Sequence, residues 1–513
     1  MESVEANKHH ILSFNMFYNT FIYFFSLFLI AVSLWTQKYF GIVSIDQVNS
    51  TIHFGIDGVL AADSIYMQRF IKWCLIWPAI VTIFLLFTKR FLSKLIQKSS
   101  AKTPSVTMKA IKLLDQMSNK YIFLLLSLFF VLHQFSLYDY LKNSYLSNKF
   151  DYFALNYTDP KLTALQTKHL KNVVIIYVES LEATYSDKKV FGHDLLQSLN
   201  KLQKDDAASF SYYRQMPGTG WTIAGIVGTQ CGVPLKQLTI FNGNRIGENV
   251  NHFLSNATCL SDILTKYGYK NIFMNGSSTK VGGKLKFFTD HHYAEIYGKE
   301  EWLKEGINES KMNGWGLPDH DLFERAKIIL EKNIKSHKPF NLTILTVDTH
   351  GYAGQLSEYC KKQGFHDFAG IVECSSNEVA DFVQYVKAKH GLDKVNIVIL
   401  GDHLVMTNPI LDKLNSSSLR SVFNLFISKD PIHKNTDEIM TFSLLPTILE
   451  FIGFDFKDGK LGLGYSGINQ YPSKQSSDYI NDIEKNITNF SEAYSQLWQN
   501  KHLGNSDISG QLA

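Results

Sequence analysis

NVVIIYV, the stretch from Asn172 to Val178, is an apolar, β-branched run followed by a polar turn. A run of this kind without polar alternation predicts a strand buried on both faces, as in a parallel sheet. Three others match it: NIFM at Asn271 to Met274, LTILTV at Leu342 to Val347, and VNIVIL at Val395 to Leu400. Helical patterns separate them, over Ala257 to Tyr267, Pro318 to Glu331 and Ser376 to Lys389. Alternation of strand and helix predicts an α/β, doubly wound fold. Ligands bind such folds at the carboxyl ends of the strands. There the chain places Glu179, Asn275 with Gly276, Asp348 with His350, and Asp402 with His403.

Working outward toward the N-terminus, the character of the chain changes. Apolar stretches run from Ile11 to Trp35, Trp73 to Phe87 and Tyr121 to Leu137. A bilayer core of about 30 Å needs roughly 20 apolar residues in a helix, so the first is long enough and the other two are short. Their flanks favour spanning. Lys89, Arg90, Lys94, Lys98, Lys102, Lys109, Lys112 and Lys120 lie between the second and third stretches with Asp115 as the only acid, whereas Lys38 and Arg69 are the only Lys or Arg from Gln37 to Phe70. The positive-inside rule then predicts about three transmembrane helices, a cytoplasmic second loop, and an exported chain after about Tyr138. No small-residue cleavage site follows the first stretch, so it reads as an anchor. The expected organisation is a membrane domain over 1–138, a connector over 139–170, a catalytic domain over 171–470 and a polar, peripheral tail over 471–513.

Cysteine placement agrees with export. Cys231, Cys259, Cys360 and Cys374 all fall in the polar part of the chain. Short spacings favour Cys231 with Cys259 and Cys360 with Cys374, out of three possible pairings. A net charge of +4, from 51 Lys and Arg against 47 Asp and Glu, with no basic stripe, argues against nucleic acid.

Glu179, Asp402 and His403 offer two carboxylates and an imidazole, a donor set suited to Mn²⁺, Mg²⁺ or Zn²⁺. A group such an ion could activate stands in PGTGWTIAGIVG, from Pro217 to Gly228, where Thr222 follows a glycine turn and begins a small-residue helix. A helix N-terminus favours a phosphate. Spacing alone does not separate Thr222 from an ordinary N-cap threonine, and Thr219 is the weaker alternative nucleophile. His9-His10 and His291-His292 look like metal pairs, but adjacent residues of a helix or strand point to different sides, so no role is expected.

The run PGTGWTIAGIVGTQCGVPL (Pro217 to Leu235), with IYVESLEATY (Ile176 to Tyr185), LTVDTHG (Leu345 to Gly351), LGDHLVM (Leu400 to Met406) and LGLGYSG (Leu461 to Gly467), closely resembles the phosphoglycerol transferase I group. That group belongs to the sulfatase-like, alkaline-phosphatase-like superfamily, alongside lipoteichoic acid synthases. The resemblance implies a divalent ion, often Mn²⁺, held by Glu179, Thr222, Asp402 and His403, with Thr222 as nucleophile and His350 as substrate-binding histidine. Lipoteichoic acid synthases carry a Trp and an Arg near glycerol phosphate where this chain has Gly282 and Lys284, so Lys284 would contact the substrate as a point charge rather than a fork. Sulfatases carry a C-x-P-x-R motif, but Cys231 begins C-G-V-P-L, which disfavours sulfate ester hydrolysis. NGWGLPDHD, which includes Trp315, resembles a loop of the same group, with packing the expected role of the tryptophan.

The implied activity moves phosphoglycerol from phosphatidylglycerol to a periplasmic glucan or other hydroxyl acceptor, releasing diacylglycerol, in a multi-pass protein of a bacterial inner membrane with a periplasmic catalytic domain. The alternatives are lipoteichoic acid synthesis, phosphoethanolamine transfer, or a membrane-bound binding protein without catalysis.

Overall fold

The computed structural model describes residues 2–48, 64–98, 106–143, 151–203, 206–236, 252–417, 419–468 and 475–499. The chain divides into two compact units, Met1–Ile45 with Asp63–Leu141, and Asp46–Ala62 with Lys142–Ala513.

In the first unit, helix α1 covers Glu2–Phe40. The second apolar stretch passes through a π-helical turn, Ile71–Ile76, into α2, Trp77–Lys98. Two spans, Met16–Phe40 and Met67–Ile96, are long and apolar enough to cross a membrane. The third stretch forms α3, Lys120–Gln134, and its 15 residues fall short of the roughly 20 a bilayer requires. It packs along α1, where Tyr23 donates to the Ser118 carbonyl and its ring meets Phe123 edge-on.

The second unit is built on a seven-stranded sheet. Its strands are β1 (Asn172–Val178), β2 (Ala207–Ala208), β3 (Lys270–Asn275), β4 (Tyr293–Tyr297), β5 (Phe340–Leu345), β6 (Val395–Gly401) and β7 (Asn424–Ile427), in the order β2-β7-β6-β1-β5-β3-β4. The five from β6 to β4 are parallel, and β7 and β2 are antiparallel additions at one edge. The four strands expected from apolar runs are all present. The edge strands are short, and β4 reads YAEIY with a half-exposed face, so none carries the continuous apolar signal of a central strand.

β1 shows why its sequence has no polar alternation. Val173, Ile175 and Tyr177 enter the core on one face and Val174, Ile176 and Val178 that on the other. Each such Val or Ile contributes about 1.5–3 kcal/mol by leaving water. The faces are covered by α4 (Thr222–Cys231), α5 (Leu260–Lys266), α6 (Lys284–Asp290), α7 (Asp319–Lys335) and α8 (Phe368–His390), among others.

Both flanks of the sheet region are packed. Part of the connector is folded: Tyr152 and Phe153 are buried, and Leu165–Thr167 pairs with Phe454–Phe456. Residues 475–499, within the polar tail, are packed as well. The helix Ser477–Asn486 buries Ile480 and Ile483, and buried Tyr494 accepts from the Lys236 amide at 3.0 Å. Apolar residues three apart on a short polar helix suffice to seat it.

Both expected disulfides, Cys231–Cys259 and Cys360–Cys374, are formed. Cys231 closes α4 and Cys259 caps α5, so the first bond ties together two helices on the same face of the sheet. Replacing both residues by Ala is expected to cost about 2–4 kcal/mol, read as a lower urea midpoint. No change of midpoint would show that packing alone holds the two helices.

Candidate metal centre

Register brings the site together. Val178 pairs with Gly401 and Tyr177 with Leu345, so the chain leaves three adjacent strands at one level. Glu179 follows β1, Asp402 and His403 follow β6, and Thr346 follows β5. Ser180 then takes φ 54°, an uncommon conformation for a residue with a Cβ, which turns its amide onto Asp402 Oδ1 at 2.7 Å. Its hydroxyl donates to Glu179 Oε1 at 2.9 Å.

Glu179, Asp402 and His403 are buried, and one ligand atom from each lies within 4.8 Å of the others. His403 Nε2 stands 3.4 Å from Glu179 Oε1 and 3.5 Å from Asp402 Oδ2. Asp402 Oδ2 is buried with no hydrogen-bond donor. The Leu404 carbonyl lies 2.8 Å from His403 Nδ1 and accepts a hydrogen bond from the N–H there. In the neutral ring Nε2 then turns its lone pair toward two carboxylates, which is repulsive unless a cation lies among them. The donor set and the orphaned oxygen therefore fit a divalent ion.

The electrostatics agree. Burial pushes the Glu179 carboxyl up, but His350 and His403 outweigh it and bring it to about 2. Burial and the neighbouring Glu179 charge push Asp402 up to about 7. Burial lowers His403, yet Asp402 and Glu179 raise it to about 9, so without an ion the ring holds a proton. These are the signs of two carboxylates sharing one positive charge.

Thr222 is the first residue of α4, with extended Trp221 as N-cap, so it is not a capping threonine. Its half-buried hydroxyl donates to Glu179 Oε2 at 3.2 Å. The next turn of α4 comes so close that a Cβ on Gly225 would lie 1.9 Å from the Asp402 carbonyl oxygen. Only glycine permits that approach, which is the reason for the small residues of this helix. Thr219 is turned away: its hydroxyl donates to Met216 O at 2.6 Å and lies 3.3 Å from that of Thr441.

Lys284 begins α6 after two glycines of positive φ, Gly282 and Gly283. It is buried, and burial lowers its ammonium to about 8 against the pull of Glu179, Asp402 and Glu300. His350 is lowered by burial, with Glu179 opposing and Lys284 and His403 reinforcing, and its Nδ1 is buried without a partner. Trp315 packs its ring edge-on to His350 at 4.2 Å. Glu179, Asp402, His403 and Thr222 thus come to one place, Lys284 and His350 feel their charges, and the tryptophan packs against that imidazole as its loop was expected to.

Sequence reasoning missed the Glu182–Arg420 pair behind the ligands. Arg420 Nε donates to Glu182 Oε2 at 3.0 Å, its Nη2 to Glu182 Oε1, and Nη2 also to the Val405 carbonyl at 2.7 Å. The Val405 amide donates to Glu182 Oε1 at 2.9 Å. The one signal available was an acidic residue three positions after Glu179. The histidines His291 and His292 correct another expectation, since both Nδ1 atoms reach Asp262, each at 2.8 Å. α6 ends at Asp290 and His292 takes φ 61°, so neither helix nor strand geometry separates the two side chains. The side chains of His9 and His10 lie outside the described residues.

The sequence matches the Sulfatase family over residues 171–454. Phosphoglycerol transferase I of Shigella flexneri is 34% identical over 343 residues, which cover 65% of this chain and 43% of that protein. Phosphoglycerol transferase I of Escherichia coli O127:H6 is 34% identical over 344 residues, with the same coverage of 65% and 43%. The chain thus matches less than half the length of these curated relatives. Among solved structures, the lipoteichoic acid synthase LtaP from Listeria monocytogenes is 15% identical, covering 59% of this chain and 78% of that one at a TM-score of 0.44. A likeness so loose carries no chemistry.

Proposed function

This chain belongs to the Sulfatase family, and from that premise we propose that it is a membrane-anchored transferase moving phosphoglycerol from phosphatidylglycerol to a hydroxyl acceptor, a periplasmic glucan, through Thr222. The observation that carries the reading is the Thr222 hydroxyl held at 3.2 Å on Glu179, beside the buried Asp402 and His403. The names of the curated relatives support the group transferred.

Glu179, Asp402 and His403, with Thr222 as the fourth ligand, would hold a divalent ion, Mn²⁺ in the first instance and Mg²⁺ or Zn²⁺ as alternatives. Bound there, it would supply positive charge that favours the ionised Thr222 hydroxyl and steadies the phosphate oxygens. Thr222 Oγ1 attacks phosphorus, the bond to the diacylglycerol oxygen breaks, and diacylglycerol departs with the proton that Thr222 gives up. The acceptor hydroxyl then displaces Thr222 from the phosphoglyceryl ester and returns a proton to it. The N-terminal amides of α4 offer donors to the phosphate, as at other helix starts. Lys284 and His350 are the candidate contacts to the glycerol phosphate. Cys231 has no arginine four residues on, where Leu235 stands, which continues to disfavour sulfate ester hydrolysis.

Apolar spans Met16–Phe40 and Met67–Ile96 support anchoring beside a lipid donor, and two disulfides support a catalytic domain in an oxidising compartment, the periplasm. The boundaries 1–138, 139–170, 171–470 and 471–513 stand as a proposal.

The test is transfer from labelled lipid in liposomes with a glucan acceptor, reading product mass. Chelation with EDTA is expected to stop release of diacylglycerol, and Mn²⁺ to restore it. Activity that survives exhaustive chelation would remove the ion from the mechanism. Phosphatidylethanolamine as the preferred donor would move the reading to phosphoethanolamine transfer, and release from no lipid would favour a binding protein.

A further inference from the structure

A second group of acids lies behind the strand ends and takes no part in the chemistry above. Asp319 begins α7, Asp348 follows β5, and Glu378 stands within α8. All three are at least 96% buried, with exposures of 0%, 1% and 4%, and one oxygen from each lies within 4.8 Å of the others. Asp319 is well supplied with donors: Oδ1 accepts from the Val347 amide at 2.6 Å, and Oδ2 from the Asp348 amide at 3.2 Å and the Ser375 hydroxyl at 3.1 Å. The other two are not. Asp348 Oδ1 accepts from Asn313 at 3.1 Å, while its Oδ2 has no donor.

Glu378 is the decisive member. Its Oε2 is buried without a partner, and its Oε1 faces only the sulfurs of Cys360 and Cys374, at 3.8 and 3.9 Å. Those two cysteines form a disulfide, which carries no proton to donate. A carboxyl in this position has no hydrogen-bond donor among the described residues, and two more carboxyls stand beside it. Isolated burial of such charge costs several kcal/mol per group, so the cluster needs a positive partner or protons. Among the described residues, no ion pair reaches any of the three within 4.0 Å.

We propose that Asp319, Asp348 and Glu378 form a second, buried site for a hard divalent cation, distinct from the Thr222 centre. The donors are all oxygen, with no imidazole or thiolate, which suits Ca²⁺, or Mg²⁺ and Mn²⁺, over softer ions. Its place in the fold gives it a positioning role. The loop after β5 carries Asp348, then Thr349, whose hydroxyl donates to the Glu179 carbonyl at 2.6 Å, then His350. An ion drawing Asp348 toward α7 and α8 would hold that loop against the first centre without touching substrate. Burial raises the Asp348 and Glu378 carboxyls well above their usual range, with Asp319 reinforcing both, so the site asks for a cation or a proton.

The experiment is metal counting by mass spectrometry on the full chain in detergent, stripped with chelator and equilibrated with Ca²⁺ or, separately, Mn²⁺. Wild-type chain is expected to retain two ions and Glu378→Gln one. The double variant Glu179→Ala, His403→Ala, which disables the first centre, is expected to retain one. This variant keeps the question open to measurement even if Glu378→Gln does not fold. Retention of no ion by the double variant, or equal retention by folded Glu378→Gln and wild type, would overturn the proposal and leave the cluster to shared protons. Because ions are counted, the result is independent of which lipid the chain uses.

Discussion

Thr222→Ala is expected to lower phosphoglycerol transfer on the order of 10³-fold or more, the scale seen when a covalent nucleophile is removed. The chain should remain folded. Trp221, not Thr222, is the N-cap of α4, and alanine is a good helix former at the first helical position. The loss is one half-buried hydroxyl and its hydrogen bond to Glu179, worth about 1 kcal/mol. The urea midpoint should therefore move little while diacylglycerol release collapses, and Thr222→Ser should recover part of the rate. Lipid turnover by Thr222→Ala at the wild-type rate would place the nucleophile elsewhere. Thr219 is a poor successor, because its hydroxyl is buried against Met216 and Thr441.

Arg420→Ala is expected to produce the largest loss of stability of any single surface-reaching side chain discussed above. The Glu182 carboxylate is fully buried, and Arg420, whose side chain is 22% exposed, forks onto both of its oxygens. Removing one partner of a buried pair leaves a bare charge and costs about 3–5 kcal/mol. The effect should reach the metal centre as well. Glu182 lies three residues after Glu179 and receives the Val405 amide, two residues after His403. The pair thus clamps two of the loops that carry the ligands. Arg420→Lys keeps a charge but not the fork and should fall between. Adding Glu182→Gln to Arg420→Ala should recover part of the loss, because the bare charge is then gone. A midpoint unchanged in Arg420→Ala would mean that water reaches Glu182 and that the clamp contributes little.

Part of this architecture is written locally. NVVIIYV can bury both faces only in the middle of a sheet, and the acid or histidine after each such run must emerge at the carboxyl edge. Glu179, Asp402, His403 and His350 were legible for that reason, and the two disulfides were legible from their short spacing. Thr222 was half legible: a glycine turn before a small-residue helix marks a helix start, but says nothing of what faces it. Its partner Glu179 lies 43 residues away in the chain.

The remainder depended on contacts with no local signature. Glu182 and Arg420 are 238 residues apart, and nothing in either neighbourhood marks the other. Asp319, Asp348 and Glu378 read singly as a first-turn acid, a strand-end acid and a helix-face acid. The flank over 475–499 reads as polar because only a few of its residues are apolar, yet those few find the core. Sequence by itself determined the α/β layering and the edge of the sheet at which chemistry could occur, because strand burial and helix periodicity are properties of neighbouring residues. Only the tertiary structure decided which charges meet there, because the β2-β7-β6-β1-β5-β3-β4 order places side by side loops that lie far apart along the chain.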